Sequence, residues 1–314
     1  MITTLQALRF IFVMMIFMSH FAYAGIGAFD AGGDCGVAFF FLLSGFVMAR
    51  GYGSKMHDGT FSYRTFLHRR LLKIYPLHLL CLLAFLLLSH AAIDLRVVLN
   101  ALLLQCWVPL TQYYFSCNAV SWFLSCILFC YAVFPWLYRH ASWSVLVVVM
   151  TLYCAVYAAV PYDLVNNILY VNPLVRCVDF FLGIMLCRLF ESNRLPAPPA
   201  WAELAVVLLL VVALVCYPYT DAKLRNAPLF WLVLIPLIFV FAHAKGPLSP
   251  LLASWPMRFL GSLSMPVFLL HPMVCSAVLR RLPEVHYVVA LAVCIAAVLL
   301  LSWLIDRLLL RKIV

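Results

Sequence analysis

The chain has 314 residues, 67% of them hydrophobic and only 10% charged, whereas a soluble domain is about one-quarter charged. That excludes a conventional soluble fold, and apolar runs that are continuous rather than alternating exclude a membrane β-barrel. The net charge of +10 is spread in a pattern that reports membrane topology, so no nucleic-acid partner is expected.

The expected fold is all-α, a polytopic helical bundle made by one domain over 1–314. Runs of roughly 17 to 22 apolar residues mark about ten spans. They lie near 5–23, 34–50, 74–90, 119–138, 143–160, 173–190, 201–217, 228–244, 260–282 and 286–306. The first begins almost at Met1, lacks a basic leader and carries an internal arginine, so it reads as a retained span and not as a cleaved signal. The apolar piece at 96–108 is too short for a span, and Gln105, Trp107 and Pro109 crowd its end; it reads as a re-entrant or interfacial helix. PAPPAW, 196–201, is a stiff connector.

With the N-terminus in the cytoplasm, fourteen of the 21 basic residues face the cytoplasm, five face outward, and Arg9 and Arg176 lie within spans. This bias predicts both termini cytoplasmic, in a bacterial inner membrane. The twelve cysteines show no CxxC and no His/Cys ligand spacing, so no metal is expected. Cys106 and Cys117 read as small apolar residues rather than as a disulfide.

Ionisable groups at membrane depth are the first place to look for chemistry. Arg9 and His20 stand 11 residues apart in LRFIFVMMIFMSHF, on nearly one helix face and about 16 Å apart along the axis. The plainer alternative is that Arg9 reaches to headgroups and His20 bonds a neighbouring helix. The second span opens DAGGDCGVAFFFLLSGF, with Asp30 and Asp34 at its outer end and Ser44 deeper. FSYRTFLHRRLLKIYP, 61–76, is basic and amphipathic. Its Arg64, Arg69, Arg70 and Lys73 suit either lipid headgroups or the phosphates of a cytoplasmic cofactor. In RCVDFFLG, Arg176 and Asp179 are spaced i, i+3 and can neutralise each other. LGSLSMPVFLLHP places His271 near mid-membrane with Pro272 loosening the helix there; histidine is the side chain best suited to exchange protons near neutral pH.

Taken in order, these pieces resemble the integral-membrane acyltransferase-3 family. The resemblance is carried by Arg9 and His20, GVAFFFLLSGF at 36–46, RRLLKIYPLHLL at 69–80, WFLSCILFCYAVFP at 122–135, FFLG at 180–183, and Leu260, Gly261, Ser264, Leu269 and His271. The order holds from residue 5 to about 272. Three positions depart from the pattern: Ala38 and Ile127 stand where the family carries an Asp and a Glu, and Lys73 replaces an Arg.

What the resemblance implies is transfer of an acyl group, acetyl or another, from cytoplasmic acyl-CoA to a hydroxyl of an extracytoplasmic or lipid-linked saccharide. His20 becomes the general base or a transient acyl carrier, and Arg9 holds the donor or the polar path. Arg64, Arg69, Arg70 and Lys73 bind coenzyme A phosphates. Asp34, Ser44, Trp122, Arg176, Asp179 and His271 are further candidates for orienting His20 or binding sugar. A glycan transporter or flippase, and a family member that has lost catalysis, remain as other readings.

Overall fold

The computed structural model describes residues 2–22, 26–27, 32–226, 228–282 and 285–311. It contains no strand among them and is built from helices α1 (Thr3–His20), α2 (Gly33–His57), α3 (Tyr63–Ser89), α4 (Leu95–Ala101), α5 (Thr111–Tyr114), α6 (Trp122–His140), α7 (Trp143–Ala159), α8 (Pro173–Glu191), α9 (Ala202–Cys216), α10 (Ala222–Arg225), α11 (Pro228–His243), α12 (Ser249–Leu252), α13 (Trp255–Ser262), α14 (Ser264–Leu279) and α15 (Tyr287–Ile305). By length and composition 7 helices can cross a membrane, or up to 9 if each of two bent pairs counts as one span. The remaining long helix is α8. It is less apolar because it carries Arg176, Asp179, Arg188 and Glu191, and each of these is bonded inside the protein.

Two ends of the bundle can be told apart by their contacts. The basal end holds the start of α1, where Thr4 Oγ1 donates to Phe241 O at 2.5 Å. It also holds the Arg50–Glu191 ion pair and Arg188, whose Nη2 donates to Tyr138 O at 2.5 Å and whose Nη1 donates to Ala141 O. That arginine adds hydrogen bonds to two carbonyls at the C-terminus of α6. Buried Glu203 is basal too, accepting from the backbone N–H groups of Gly246, Leu248 and Ser249. The apical end holds His20, the start of α2, and Phe21 stacked edge-on against Tyr287.

Helix α2 lies along α8 in the most extensive helix contact of the bundle, parallel to it. Two glycines make this possible. A Cβ on Gly45 would lie 1.9 Å from Phe180 O, and one on Gly183 would lie 2.0 Å from Leu42 O. Backbone therefore touches backbone, the close approach by which helices associate in lipid. Gly183→Leu is expected to separate α2 from α8 and destabilise the protein by at least ~1–3 kcal/mol, the usual cost of overpacking. A thermal melt in detergent checks this, with Gly51→Ala, which has open space around it inside α2, leaving the midpoint unlowered or slightly raised.

The basic segment 61–76 runs into the basal half of α3, a 27-residue helix that begins at Tyr63. The piece at 96–108 does not span. It is α4, seven residues long, followed by a short 3-10 turn at Gln105–Trp107. Its backbone is satisfied by the protein: Tyr75 Oη donates to Leu102 O, Ser125 Oγ donates to Leu103 O, and a ring nitrogen of His78 bonds Asn100 O at 2.8 Å. Irregular backbone at membrane depth is tolerated only under such cover, so the re-entrant reading fits. At its entry Asp94 caps α4, and a hydrogen bond from Arg96 holds its carboxyl below the usual range.

The ninth expected span is broken. Helices α13 and α14 meet at 59°, and the break falls at Leu263, not at Pro272, which lies inside α14. Helix α7 ends the same way, followed at 120° by a short apical turn. All twelve cysteines are free, Cys106 and Cys117 included.

Candidate active site

A cavity of about 810 Å³ enters from the basal end between α1, α2, α3, α6, α8 and α14. Four basic side chains line it: Arg9, Arg50, Arg70 and Lys73. Arg70 and Lys73 share one face of α3, as i, i+3 spacing requires. Arg70 Nη2 donates to Tyr52 Oη at 3.1 Å, and its guanidinium lies over the rings of Tyr52 and Phe66. Arg50 is paired with Glu191 at 3.3 Å. Among the described residues, Arg9, Arg70 and Lys73 have no carboxylate partner. Nor do the buried Arg70 Nε and Ser264 Oγ, both in the cavity lining, have any hydrogen-bond partner.

Ile127 is part of the same wall. A Glu there would offset one cation; isoleucine leaves the positive charge uncompensated. Cations withdrawn from bulk water without a counter-charge are costly. The arrangement is therefore suited to an anionic ligand head, with phosphate oxygens well matched to guanidinium donors. Deeper in, the lining becomes apolar: Phe40, Phe123, Met265 and Phe268 close the end. The rings of Phe123 and Phe268 are 5.4 Å apart.

Beyond this aromatic wall stand two histidines. His20 is exposed at the apical end of α1, about 16 Å along the helix axis from Arg9. Its Nδ1 lies 2.8 Å from Ile16 O. A carbonyl can only accept, so in the neutral ring Nδ1 carries the proton and Nε2 keeps its lone pair. Fixing the tautomer is one task an Asp performs in a catalytic triad; here backbone does it, without the acids missing at Ala38 and Ile127. His271 is buried, its ring centroid 5.3 Å from that of His20 and 5.7 Å from that of Phe17. Its Nδ1 faces Phe268 O at 2.8 Å and Val267 O at 3.2 Å, and its Nε2 has no partner among the described residues. His271 sits level with the apical end of α1. Neither histidine lines the cavity; Phe268, 6.3 Å from His271 ring to ring, belongs to both regions.

The other sequence candidates divide by location. Ser44 lines the cavity, as does Tyr131. Arg64 and Arg69 are exposed and outside its lining. Arg176 and Asp179, each about 1% exposed, pair at 2.8 Å. Trp231 Nε1 donates to Asp179, Arg176 Nε donates to Tyr170 O, and the guanidinium lies over Phe41, Trp122 and Tyr170. Trp122 is buried against this group, 4.7 Å from Tyr170. Asp34 accepts from Tyr217 Oη at 2.9 Å and borders a second, apical cavity of about 210 Å³ with Tyr170, Arg225 and Asn226. Asp30 lies outside the described residues. Among the polar cavity residues that the sequence reading did not offer as site candidates are Arg50 and Tyr131. Tyr131 lies inside the quoted segment 122–135 and Arg50 in the chain following 36–46.

The bundle thus holds a cationic cavity at its basal end and an exposed histidine at its apical end. The chain belongs to the acyltransferase domain family, which it matches over residues 2–307. It is similar to the acyltransferase MdmB of Streptomyces mycarofaciens, 39% identical over 116 residues, 34% of this chain and 29% of that protein. It is also similar to protein 2 in the picA locus of Rhizobium radiobacter, 37% identical over 78 residues, 25% of this chain and 40% of that protein. The matched segments span less than half the length of either relative. No solved structure matches the chain.

Proposed function

We propose that the protein is an O-acyltransferase that moves an acyl group, acetyl in the simplest case, from cytoplasmic acyl-CoA to a hydroxyl of an extracytoplasmic or lipid-linked saccharide. The basal end faces the cytoplasm of a bacterial inner membrane, as the distribution of basic residues favours. The observation that carries the reading is the cavity whose unpaired cations lie at the basal end while its apolar end approaches a histidine open to the other face.

In this reading Arg9, Arg70 and Lys73 hold the donor's phosphates, Arg50 stands at the mouth, and the acyl arm points to Phe123 and Phe268. His20 Nε2 takes the proton from the acceptor hydroxyl as that oxygen attacks the thioester carbonyl. Transient acylation of His20 is the competing route through the same atom. Nothing in the chemistry calls for a metal.

The test is to express the wild type and His20→Ala at equal levels in a host lacking the activity, then assay surface glycans by NMR before and after mild alkali. Alkali-labile esters in the wild type alone are the expected result. A wild type that adds no ester overturns the reading, and movement of lipid-linked glycan in vesicles without acyl-CoA would favour a flippase instead.

A further inference from the structure

Ser264 is the first residue of α14, where the chain turns by 59° out of α13. We infer that its hydroxyl recognises the donor's arm: Ser264 Oγ donates to an amide carbonyl of the pantetheine chain, the part of coenzyme A between its phosphates and its sulfur. The inference rests on the acyl-CoA reading above and adds a specificity element to it.

Three observations carry it. The first is an unmet hydrogen bond. Ser264 is fully buried, and its Oγ has no partner among the described residues. A helical serine often bonds a carbonyl one turn back, as Ser19, Ser192 and Ser262 do with Ile16 O, Leu189 O and Phe259 O. Ser264 has the break at Leu263 immediately behind it and makes no such bond. A hydroxyl withdrawn from water and left open is costly. Ser302 Oγ is open too, but it lines neither cavity, whereas Ser264 lines the basal one.

The second observation is depth. Helix α14 runs beside α1, because Gly261, just before the break, leaves no room for a Cβ beside Gln6 O, while His271 lies against His20. His271 is about 10 Å of helix beyond Ser264, and His20 is about 16 Å beyond Arg9. Ser264 therefore stands ~5 Å further into the cavity than Arg9, and Phe268 stands one turn deeper on the same helix.

The third is the order of chemistry along the cavity. Entering from the basal end, a ligand meets unpaired cations, then the Ser264 hydroxyl, then the apolar end formed by Met265, Phe268 and Phe123. Coenzyme A presents the complementary order: phosphates, amides, then the thioester. An amide carbonyl leaving water needs a donor in the protein, and Ser264 Oγ has one to give. A plain hydrocarbon tail in the same place would leave that hydroxyl unmet.

The test compares two ligands on purified protein in lipid nanodiscs by titration calorimetry: coenzyme A, and 3′-phospho-ADP, which keeps the nucleotide phosphates and lacks the arm. Ser264→Ala is expected to weaken coenzyme A about tenfold, the upper range for a neutral hydrogen bond, and to leave 3′-phospho-ADP within about twofold. Ser264→Cys, close to serine in shape but a poor donor, should repeat the pattern and serves if the alanine variant does not fold. Arg70→Glu should instead weaken both ligands, marking the phosphate end. Coenzyme A affinity within twofold of wild type in a folded Ser264 variant overturns the inference. An equal loss for both ligands overturns it too, since that would mark Ser264 as a packing residue. If the wild type binds neither ligand, the acyl-CoA reading itself has failed, and that result is visible before any variant is made.

Discussion

His20→Ala is expected to lower kcat by about 10²–10⁴, the range for loss of a positioned general base, while leaving the acyl-CoA KM near its wild-type value. The KM is spared because His20 does not line the donor cavity. The fold is spared because the ring is exposed, and its one strong bond is to a carbonyl in its own helix. Steady-state kinetics with a soluble acceptor, alongside a thermal melt, separates these effects. A variant that keeps wild-type kcat would remove His20 from the chemistry even if ester formation itself stands. His20→Gln should not rescue, because an amide cannot accept a proton at neutral pH.

Arg70→Glu is expected to act on the other half of the reaction. A charge-assisted bond to phosphate contributes about 1.5–3 kcal/mol, and reversal adds repulsion in a site shielded from bulk water. Acyl-CoA KM should rise at least tenfold, with kcat at saturating donor much less affected. Lys73→Glu should behave alike from the same helix face. Arg69→Glu and Arg64→Glu, whose side chains are exposed outside the cavity, are the controls and should leave KM unchanged. If all four variants have the same small effect, the basic face of α3 serves lipid headgroups. Titrating initial rate against acyl-CoA in reconstituted vesicles reads this directly.

Much of this architecture was legible because hydrocarbon imposes a simple rule. Apolar length marks spans, and α1, α2, α6, α7, α8, α9, α11 and α15 fall where the runs predict. The Arg176–Asp179 pair follows from i, i+3 spacing alone, and it forms. Division of the basic segment was not legible from spacing, since Lys73 stands i, i+4 from Arg69 and i, i+3 from Arg70 and so shares a helix face with both. What stayed hidden depends on contacts between distant segments. The break at Leu263 comes from a Gly-Ser-rich stretch that hydropathy averages over, and Pro272 was the more obvious but wrong signal. The depth of His271 follows from how α14 sits against α1 after that break. The support for His20 was sought among acids, although a backbone carbonyl, which no sequence pattern marks, meets the ring.

The aromatic wall formed by Phe40, Phe123 and Phe268 has a bioenergetic consequence. A protein with polar chemistry at both faces of a membrane is one water column away from being a channel. Apolar constrictions resist wetting and so block ions and protons without any moving plug. Here Phe123 and Phe268 stand between the cationic cavity and the histidine pair, the kind of apolar layer that resists wetting. Under the proposed function such a layer would keep conductance apart from acyl transfer, so that many copies could sit in an energised membrane without discharging the gradient across it.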